Sequence, residues 1–83
     1  MPMISIQVKL VGALARHLPP NGQAPAEVAQ NSTPDDLIKQ LGLAADQRYM
    51  VSVNGEFIRN TDTAAVQLSA DDRVTIMPAL KGG

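Results

Sequence analysis

The residues of this sequence best suited to chemistry are its last two, Gly82 and Gly83. Because glycine has no Cβ, a diglycine end can thread a channel that would exclude any side chain, and its backbone adapts freely. A terminal carboxylate is itself a poor acylating group, since its leaving group would be oxide. Transfer of AMP from ATP onto the carboxylate makes a mixed anhydride that a sulfur nucleophile can attack. The pattern favours activation at the Gly83 carboxylate, against the alternative of an unremarkable frayed terminus.

Other kinds of reactive centre have little support in the sequence. The chain has no cysteine, which excludes a disulfide framework, a thiolate metal site, a catalytic thiol and a persulfide carrier. A metal cluster made of histidines needs more than the single histidine, His17, and this residue has no evident catalytic partner in the sequence. We therefore expect no bound metal or cofactor. If the chain carries sulfur, it must do so as a thiocarboxylate on Gly83.

The acidic pairs and the internal glycines have structural interpretations. Asp35-Asp36 begins a predicted helix and Asp71-Asp72 lies in a predicted turn. Neighbouring side chains on a helix do not face each other, so neither pair is a natural carboxylate dyad. No glycine-rich phosphate-binding motif is present. An enzyme acting alone is therefore improbable.

Length and composition limit the function classes further. With 83 residues and 45% hydrophobic content, the chain is one folded domain. Its net charge is −1, and Tyr49 and Phe57 are its only aromatic residues. A basic face with stacking aromatics, as expected of a nucleic-acid binder, is missing. No membrane span or signal peptide is evident, so we expect a cytoplasmic protein.

The elements that position the tail follow from local patterns. Alternating apolar residues predict a strand over 3–11 and a weaker strand over 24–29, where Pro25 favours a sheet edge. Residues 13–18 are ambiguous, with one helical turn as an option. The Pro19-Pro20-Asn21-Gly22 segment predicts a turn.

The second half of the chain predicts a helix and two or three strands. Thr33 and Pro34 suit the start of a short helix, and Gly42 suits its end. A strand over 49–53 leads through an Asn54-Gly55 hairpin turn into 56–58. The last strand covers 73–77, with Val74 and Ile76 inward.

The order of these elements predicts an α+β fold. The first and last strands are the most regular, so we place them side by side and parallel at the centre of a mixed sheet of four to five strands. One main helix then covers one face, which is the ubiquitin-like β-grasp arrangement. Residues 1–78 form the domain, and residues 79–83 form a flexible tail that can extend on the order of 15 Å.

The sequence resembles a known family over nearly its whole length. The segments that carry the resemblance are VKLVGALARHLPP, STPDDLIKQLGL, VSVNG, LSADDRVTIMPAL and the terminal GG. The chain is similar to the sulfur carriers that include the molybdopterin synthase small subunit and the thiamine sulfur carrier. Its length and its MPALKGG ending favour the molybdopterin side, although those subunits often have two prolines where this chain has only Pro78.

The resemblance implies a function and partners. Gly83 is adenylated by a ubiquitin-activating-like adenylyltransferase that uses ATP, is converted to a thiocarboxylate, and gives its sulfur to a cofactor precursor on a larger synthase subunit or another acceptor enzyme. Gly82 is its required neighbour. The segment that enters the partner's active site is Ala79, Leu80 and Lys81.

Two questions stay open at this point. Val11, Phe57 and Met77 form either an apolar partner-binding patch on the open face of the sheet, near the tail, or part of the packed core. The chain is also compatible with a thiamine or other sulfur pathway, with a ubiquitin-like modifier joined to lysine through Gly83, and with a binding module whose diglycine is incidental.

Overall fold

The apolar alternation of the first and last strands builds the middle of one five-stranded sheet. A computed structural model describes residues 2–18, 21–43, 48–59 and 62–78. The strands are β1 (Met3–Leu10), β2 (Gln23–Ala29), β3 (Tyr49–Val53), β4 (Glu56–Ile58) and β5 (Arg73–Pro78). Their spatial order is β2-β1-β5-β3-β4. β1 and β5 run parallel, whereas the other neighbouring pairs are antiparallel. The predicted parallel centre is therefore confirmed.

The helix α1 (Pro34–Gln40) packs on one face of this sheet. Alternate strand residues point toward it, as the period of two in a strand requires. The buried hydrophobic core consists of Ile6, Val8, Leu10, Leu14, Val28, Leu37, Ile38, Leu43, Tyr49, Val51, Leu68, Val74 and Ile76. The predicted α+β class, with up to five strands and one main helix, is confirmed. Pro25 lies on the edge strand β2, where its missing N–H costs no sheet hydrogen bond.

Both ends of α1 are closed by local hydrogen bonds. The Thr33 hydroxyl accepts from the Asp36 N–H at 3.3 Å, and the Asp36 carboxylate accepts from the Thr33 N–H at 3.0 Å. The Asp36 carboxylate also accepts from the Thr33 hydroxyl at 3.1 Å. Its bonds from the Thr33 N–H and, to a smaller extent, from the hydroxyl lower the pKa of Asp36 from its ordinary value. At the other end Gly42 adopts φ +76°, which allows the chain to turn back in a Schellman arrangement. The predicted cap and stop residues are both confirmed.

Three segments add to what the sequence indicated. The ambiguous stretch forms a 3₁₀ helix, Gly12–His17, that buries Leu14. β2 begins one residue earlier than predicted, at Gln23. Residues 62–65 form turns that bury Thr63, whose carbonyl accepts from the Asp35 N–H at 3.1 Å. Pro19 and Pro20, in the predicted turn, lie outside the described residues.

Candidate functional site

The tail predicted to carry the chemistry continues from the central strand. β5 is paired with β1 on one side as far as Ile76 and with β3 on the other side as far as Pro78. Next to that point the Val11 N–H donates to the Ile76 carbonyl at 3.1 Å. The predicted tail residues Ala79, Leu80, Lys81, Gly82 and Gly83 lie outside the described residues. Within the described residues, the candidate site is therefore the surface around the end of β5.

The sheet surface turned away from α1 surrounds this exit point, and we call it the open face. Strand alternation assigns to it the residues that point away from the core. They are Met3, Ser5, Gln7, Lys9, Val11, Gln23, Pro25, Glu27, Ala29, Met50, Ser52, Phe57, Arg73, Thr75 and Met77. All of them are exposed or half-buried. The open face is therefore accessible throughout the described part of the sheet.

Four apolar residues gather on the open face at the end where the tail leaves. Met50 and Met77 are register partners on β3 and β5, and Val11 extends β1 beside Met77 with φ −112° and ψ 150°. Phe57 is paired with Ser52, which places it diagonally across from Met50. We call Val11, Met50, Phe57 and Met77 the apolar patch.

The exposure of the apolar patch excludes one of the two sequence interpretations, the packed core, and partner binding stays a prediction. Phe57 is 56% exposed, and the other three side chains are half-buried. None of the four belongs to the buried core. Sequence analysis named three of them and missed Met50. The alternation of β3 together with the hairpin register of Asn54-Gly55 could have found it, because these two signals place Met50 on the same face as Phe57.

The middle of the open face is polar and carries two cations. Lys9 is paired with Thr75, and Arg73 with Gln7, across the parallel β1–β5 boundary. These four residues help to line a groove of about 550 Å³. A second groove of about 530 Å³ lies on the other side of Arg73, along Ser52 and the β3–β4 turn. Arg73 and Thr75 thus form a ridge between two shallow depressions.

A hydrogen-bond network closes the end of the sheet opposite the apolar patch. Asn54 and Gly55 have φ +53° and +85°, the sign pattern of a type I′ hairpin turn. The Asn54 side chain accepts from the Arg73 N–H and donates to the Asp72 carboxylate, both at 2.9 Å. The other Asp72 oxygen accepts from the Ser69 N–H at 2.7 Å. The acidic pairs therefore have the structural roles that sequence analysis assigned to them.

Reactive and metal-binding arrangements are not assembled in the described part of the chain. His17 is exposed at the end of the 3₁₀ helix. Over 2–18, 21–43, 48–59 and 62–78, no three His, Cys, Asp or Glu side chains come together in a way that could hold a metal ion. Within the same ranges, no helix has the length and hydropathy that a membrane crossing requires.

Comparison with known proteins identifies both a family and a fold. Residues 8–83 match the model of the ThiS family. No curated protein matches the sequence. The solution structure of the HVO 2177 protein of Haloferax volcanii is similar, with a TM-score of 0.82, 19% identity, and coverage of 98% of this chain and 88% of that one.

Two further structures share the fold. The small archaeal modifier protein 1 (SAMP1) of Methanosarcina acetivorans has a TM-score of 0.72 and 17% identity, with both chains covered completely. A proposed molybdopterin converting factor, subunit 1, from Pyrococcus furiosus has a TM-score of 0.68 and 19% identity, with 93% and 99% covered. At these identities the structures establish the fold, and the predicted ubiquitin-like β-grasp is confirmed.

Proposed function

The chain belongs to the ThiS family, and from that premise we propose that it is a sulfur carrier whose Gly83 carboxylate becomes a thiocarboxylate. The observation that carries the proposal is that the family match continues through residue 83. The terminal diglycine is therefore part of the matched region. The family's small proteins are carriers, and the chemistry on them is performed by partner enzymes. This agrees with the absence of cysteine, since the sulfur then resides on the C-terminal carbonyl carbon.

The proposed reaction has two steps at one carbon atom. An oxygen of the Gly83 carboxylate attacks the α-phosphorus of ATP, forming an acyl adenylate and releasing pyrophosphate. Hydrosulfide, or a donor equivalent to it, then attacks the carbonyl carbon. The C–O bond to AMP breaks as the C–S bond forms, and the products are the thiocarboxylate, AMP and a proton. ATP is bound by the activating enzyme rather than by this chain.

The partners proposed for this chemistry are a ubiquitin-activating-like adenylyltransferase and a sulfur-accepting enzyme. The apolar patch stands beside the strand end from which the tail leaves. A partner that holds Gly82 and Gly83 in its active site, with Ala79, Leu80 and Lys81 as the inserted segment, would lie against this surface. Val11, Phe57 and Met77, with Met50, are therefore the proposed docking residues.

The proposed acceptor is a molybdopterin synthase-like larger subunit, in molybdenum or tungsten cofactor formation. The MPALKGG ending supports this choice, and a proposed molybdopterin converting factor subunit shares the fold. Thiamine formation is the alternative sulfur pathway. A second candidate function is protein modification, in which a lysine amine attacks the same adenylate. It is favoured by the similarity to small archaeal modifier proteins.

Mass spectrometry of the C-terminus tests the sulfur-carrier proposal. The chain is incubated with a ubiquitin-activating-like adenylyltransferase from its own organism, ATP and sulfide, and is then fragmented. Fragmentation is required because exchange of oxygen for sulfur changes the mass almost as much as oxidation of one of the four methionines. We expect a mass increase confined to Gly83, absent without ATP and absent when Gly83 is deleted.

The alternatives give different results in the same system. An unmodified terminus, with an adenylyltransferase shown to activate another carrier, would overturn sulfur carriage. Covalent conjugates to lysine that disappear on Gly83 deletion would establish a modifier instead. Binding and activity that survive deletion of both glycines would indicate an interaction module with an incidental diglycine. Addition of a purified synthase subunit and cofactor precursor then distinguishes the sulfur acceptors.

A further inference from the structure

We propose that Lys9 and Arg73 form a second docking element, which binds carboxylate side chains on the adenylyltransferase. The inference rests on the proposed function for the identity of the partner. It adds a chemical requirement that an apolar patch alone does not impose. The partner must present acidic groups beside the apolar surface that covers the patch.

The sheet register brings the two cations together. Lys9 is paired with Thr75, and Arg73 is two residues before Thr75 on the same face of β5. Lys9 and Arg73 are therefore diagonal neighbours across two adjacent strands, roughly 7 Å apart at the backbone. Both side chains line the groove of about 550 Å³. A carboxylate entering that groove can reach both cations.

Acidic residues of the chain itself do not neutralise this pair in the described structure. Asp72 precedes Arg73, but one of its oxygens accepts from Asn54 at 2.9 Å and the other from Ser69 at 2.7 Å. Glu27 lies further along the open face, because its register partner is Ser5 rather than Lys9. Within the described residues, the positive charge of the pair is therefore available to a partner.

Asp71 also lies toward the end of the sheet opposite the apolar patch. Its N–H donates to the Ser5 carbonyl at 2.8 Å. Together with Glu27 and Asp72, it makes that end acidic. From Ser5, beside Asp71, the open face along β1 and β5 leads through the two cations to the apolar patch, although the net charge of the whole chain is only −1.

The backbone of Arg73 is held in place before any partner binds. Its N–H donates to the Asn54 side chain at 2.9 Å, and its carbonyl accepts from the Asn54 N–H at 2.7 Å. A cation on a fixed backbone loses less conformational freedom on binding than one on a loop. Arg73 is therefore suited to recognising a carboxylate at a defined position.

The spacing of the two elements fits one partner surface. Arg73, Thr75 and Met77 follow one another on the same face of β5. Successive same-face residues are about 6.6 Å apart, so the cations lie roughly one to two such steps from the apolar patch. An apolar centre with a charged rim is the usual construction of a protein interface. This favours a protein partner over a nucleic acid, because the patch has one aromatic side chain, Phe57, whereas single-strand binding uses several aromatic side chains on which successive bases stack.

Calorimetric titration of the full chain into the adenylyltransferase without ATP tests the inference, because no adenylate can form. We compare Lys9→Glu and Arg73→Glu with Lys39→Glu, which makes the same charge change on α1, the opposite layer. At about 50 mM salt, each open-face variant should bind about tenfold more weakly than the wild type, and the deficit should shrink at about 500 mM. Lys39→Glu should bind like the wild type.

Three results would overturn the inference. They are equal affinities for the open-face variants and the control, a deficit that does not respond to salt, and a wild-type chain that does not bind the enzyme. If Arg73→Glu disturbs β5, Lys9→Glu alone decides the matter. Addition of ATP to the same samples reports adenylation of Gly83 separately. Salt-sensitive docking without adenylation would refute the proposed function alone, whereas adenylation without a charge effect would refute this inference alone.

Discussion

Truncation of Phe57 should weaken docking to the partner while the domain stays folded. Phe57 is 56% exposed on the three-residue strand β4. Full burial of a phenylalanine is worth up to about 3 kcal/mol, so Phe57→Ala, which removes a side chain less than half buried, should cost about 1 kcal/mol of unfolding free energy. Domains of this kind are stable by about 5–15 kcal/mol, so the variant should remain folded. Urea unfolding measures this loss.

The same truncation removes the most exposed apolar side chain of the patch. Aromatic residues at interface centres contribute roughly 1–2 kcal/mol or more to binding, which corresponds to about 5–30-fold in affinity. We therefore expect KM for this chain in ATP–pyrophosphate exchange by the adenylyltransferase to rise by about that factor. The value of kcat should stay unchanged, because the contact is made before and during the reaction alike.

Met3 provides a matched control for Phe57→Ala. Its side chain is 54% exposed, and strand alternation places it on the same open face. It lies at the start of β1, at the end of the sheet remote from the tail. Met3→Ala should leave both kcat and KM at wild-type values. Equal KM effects of the two variants, or a wild-type KM for Phe57→Ala, would refute docking at the apolar patch.

Four further substitutions test which local contacts stabilise the fold. Gly22→Ala should lower the unfolding free energy by about 3 kcal/mol or more, and Gly42→Ala by about 1 kcal/mol. The φ angles are similar, +79° and +76°, but only at Gly22 would an added Cβ lie 2.6 Å from a β1 carbonyl oxygen. Equal losses in urea unfolding would contradict this steric argument. Asp36→Ala should destabilise the chain at neutral pH. The difference in unfolding free energy from the wild type should vanish as the pH falls through the lowered folded-state pKa of Asp36, below the ordinary value of 3.8. A pH series of unfolding curves measures this, and a pH-independent difference would rule out a role for the ionised carboxylate. Asp72→Ala removes two hydrogen-bond acceptors and should cost about 1–3 kcal/mol in thermal unfolding, whereas an unchanged melting temperature would show that the network adds no stability.

The elements that sequence analysis predicted well are those with local physical causes. The helix start at Thr33 and its stop at Gly42 each depend on residues within a few positions. The Asn54-Gly55 turn likewise fixes its own hairpin, because both positions require positive φ. The parallel placement of β1 and β5 was predictable for a different reason. These two strands have the most apolar alternating patterns, and only strands with such patterns could line the centre of the core.

The features that the sequence left undecided depend on partners distant along the chain. The 3₁₀ helix buries only Leu14, so its segment shows no apolar period from which a helix could be predicted. The hairpin register places Met50 on the same face as Phe57, and its pairing with Met77 brings it to the strand end from which the tail leaves. Lys9 and Arg73 become neighbours only because β1 and β5 run parallel. In the last two cases the deciding contact lies between strands, and the pattern of a single strand carries no record of it.

The two sheet faces and the tail have different roles in this protein. The face under α1 contains the core, so it supplies the stability of the domain. The open face retains exposed apolar and cationic groups that contribute little to that stability, and recognition is the use proposed for them. The atoms proposed to react belong to Gly83, five residues beyond Pro78, and the proposed chemistry uses its free carboxylate and the absence of side chains at Gly82 and Gly83. Changes at the apolar patch, Lys9 or Arg73 should therefore alter partner affinity, whereas changes at Gly83 should abolish the reaction without weakening docking. If one class of variant produced both effects together, recognition and chemistry would not be separable in this chain.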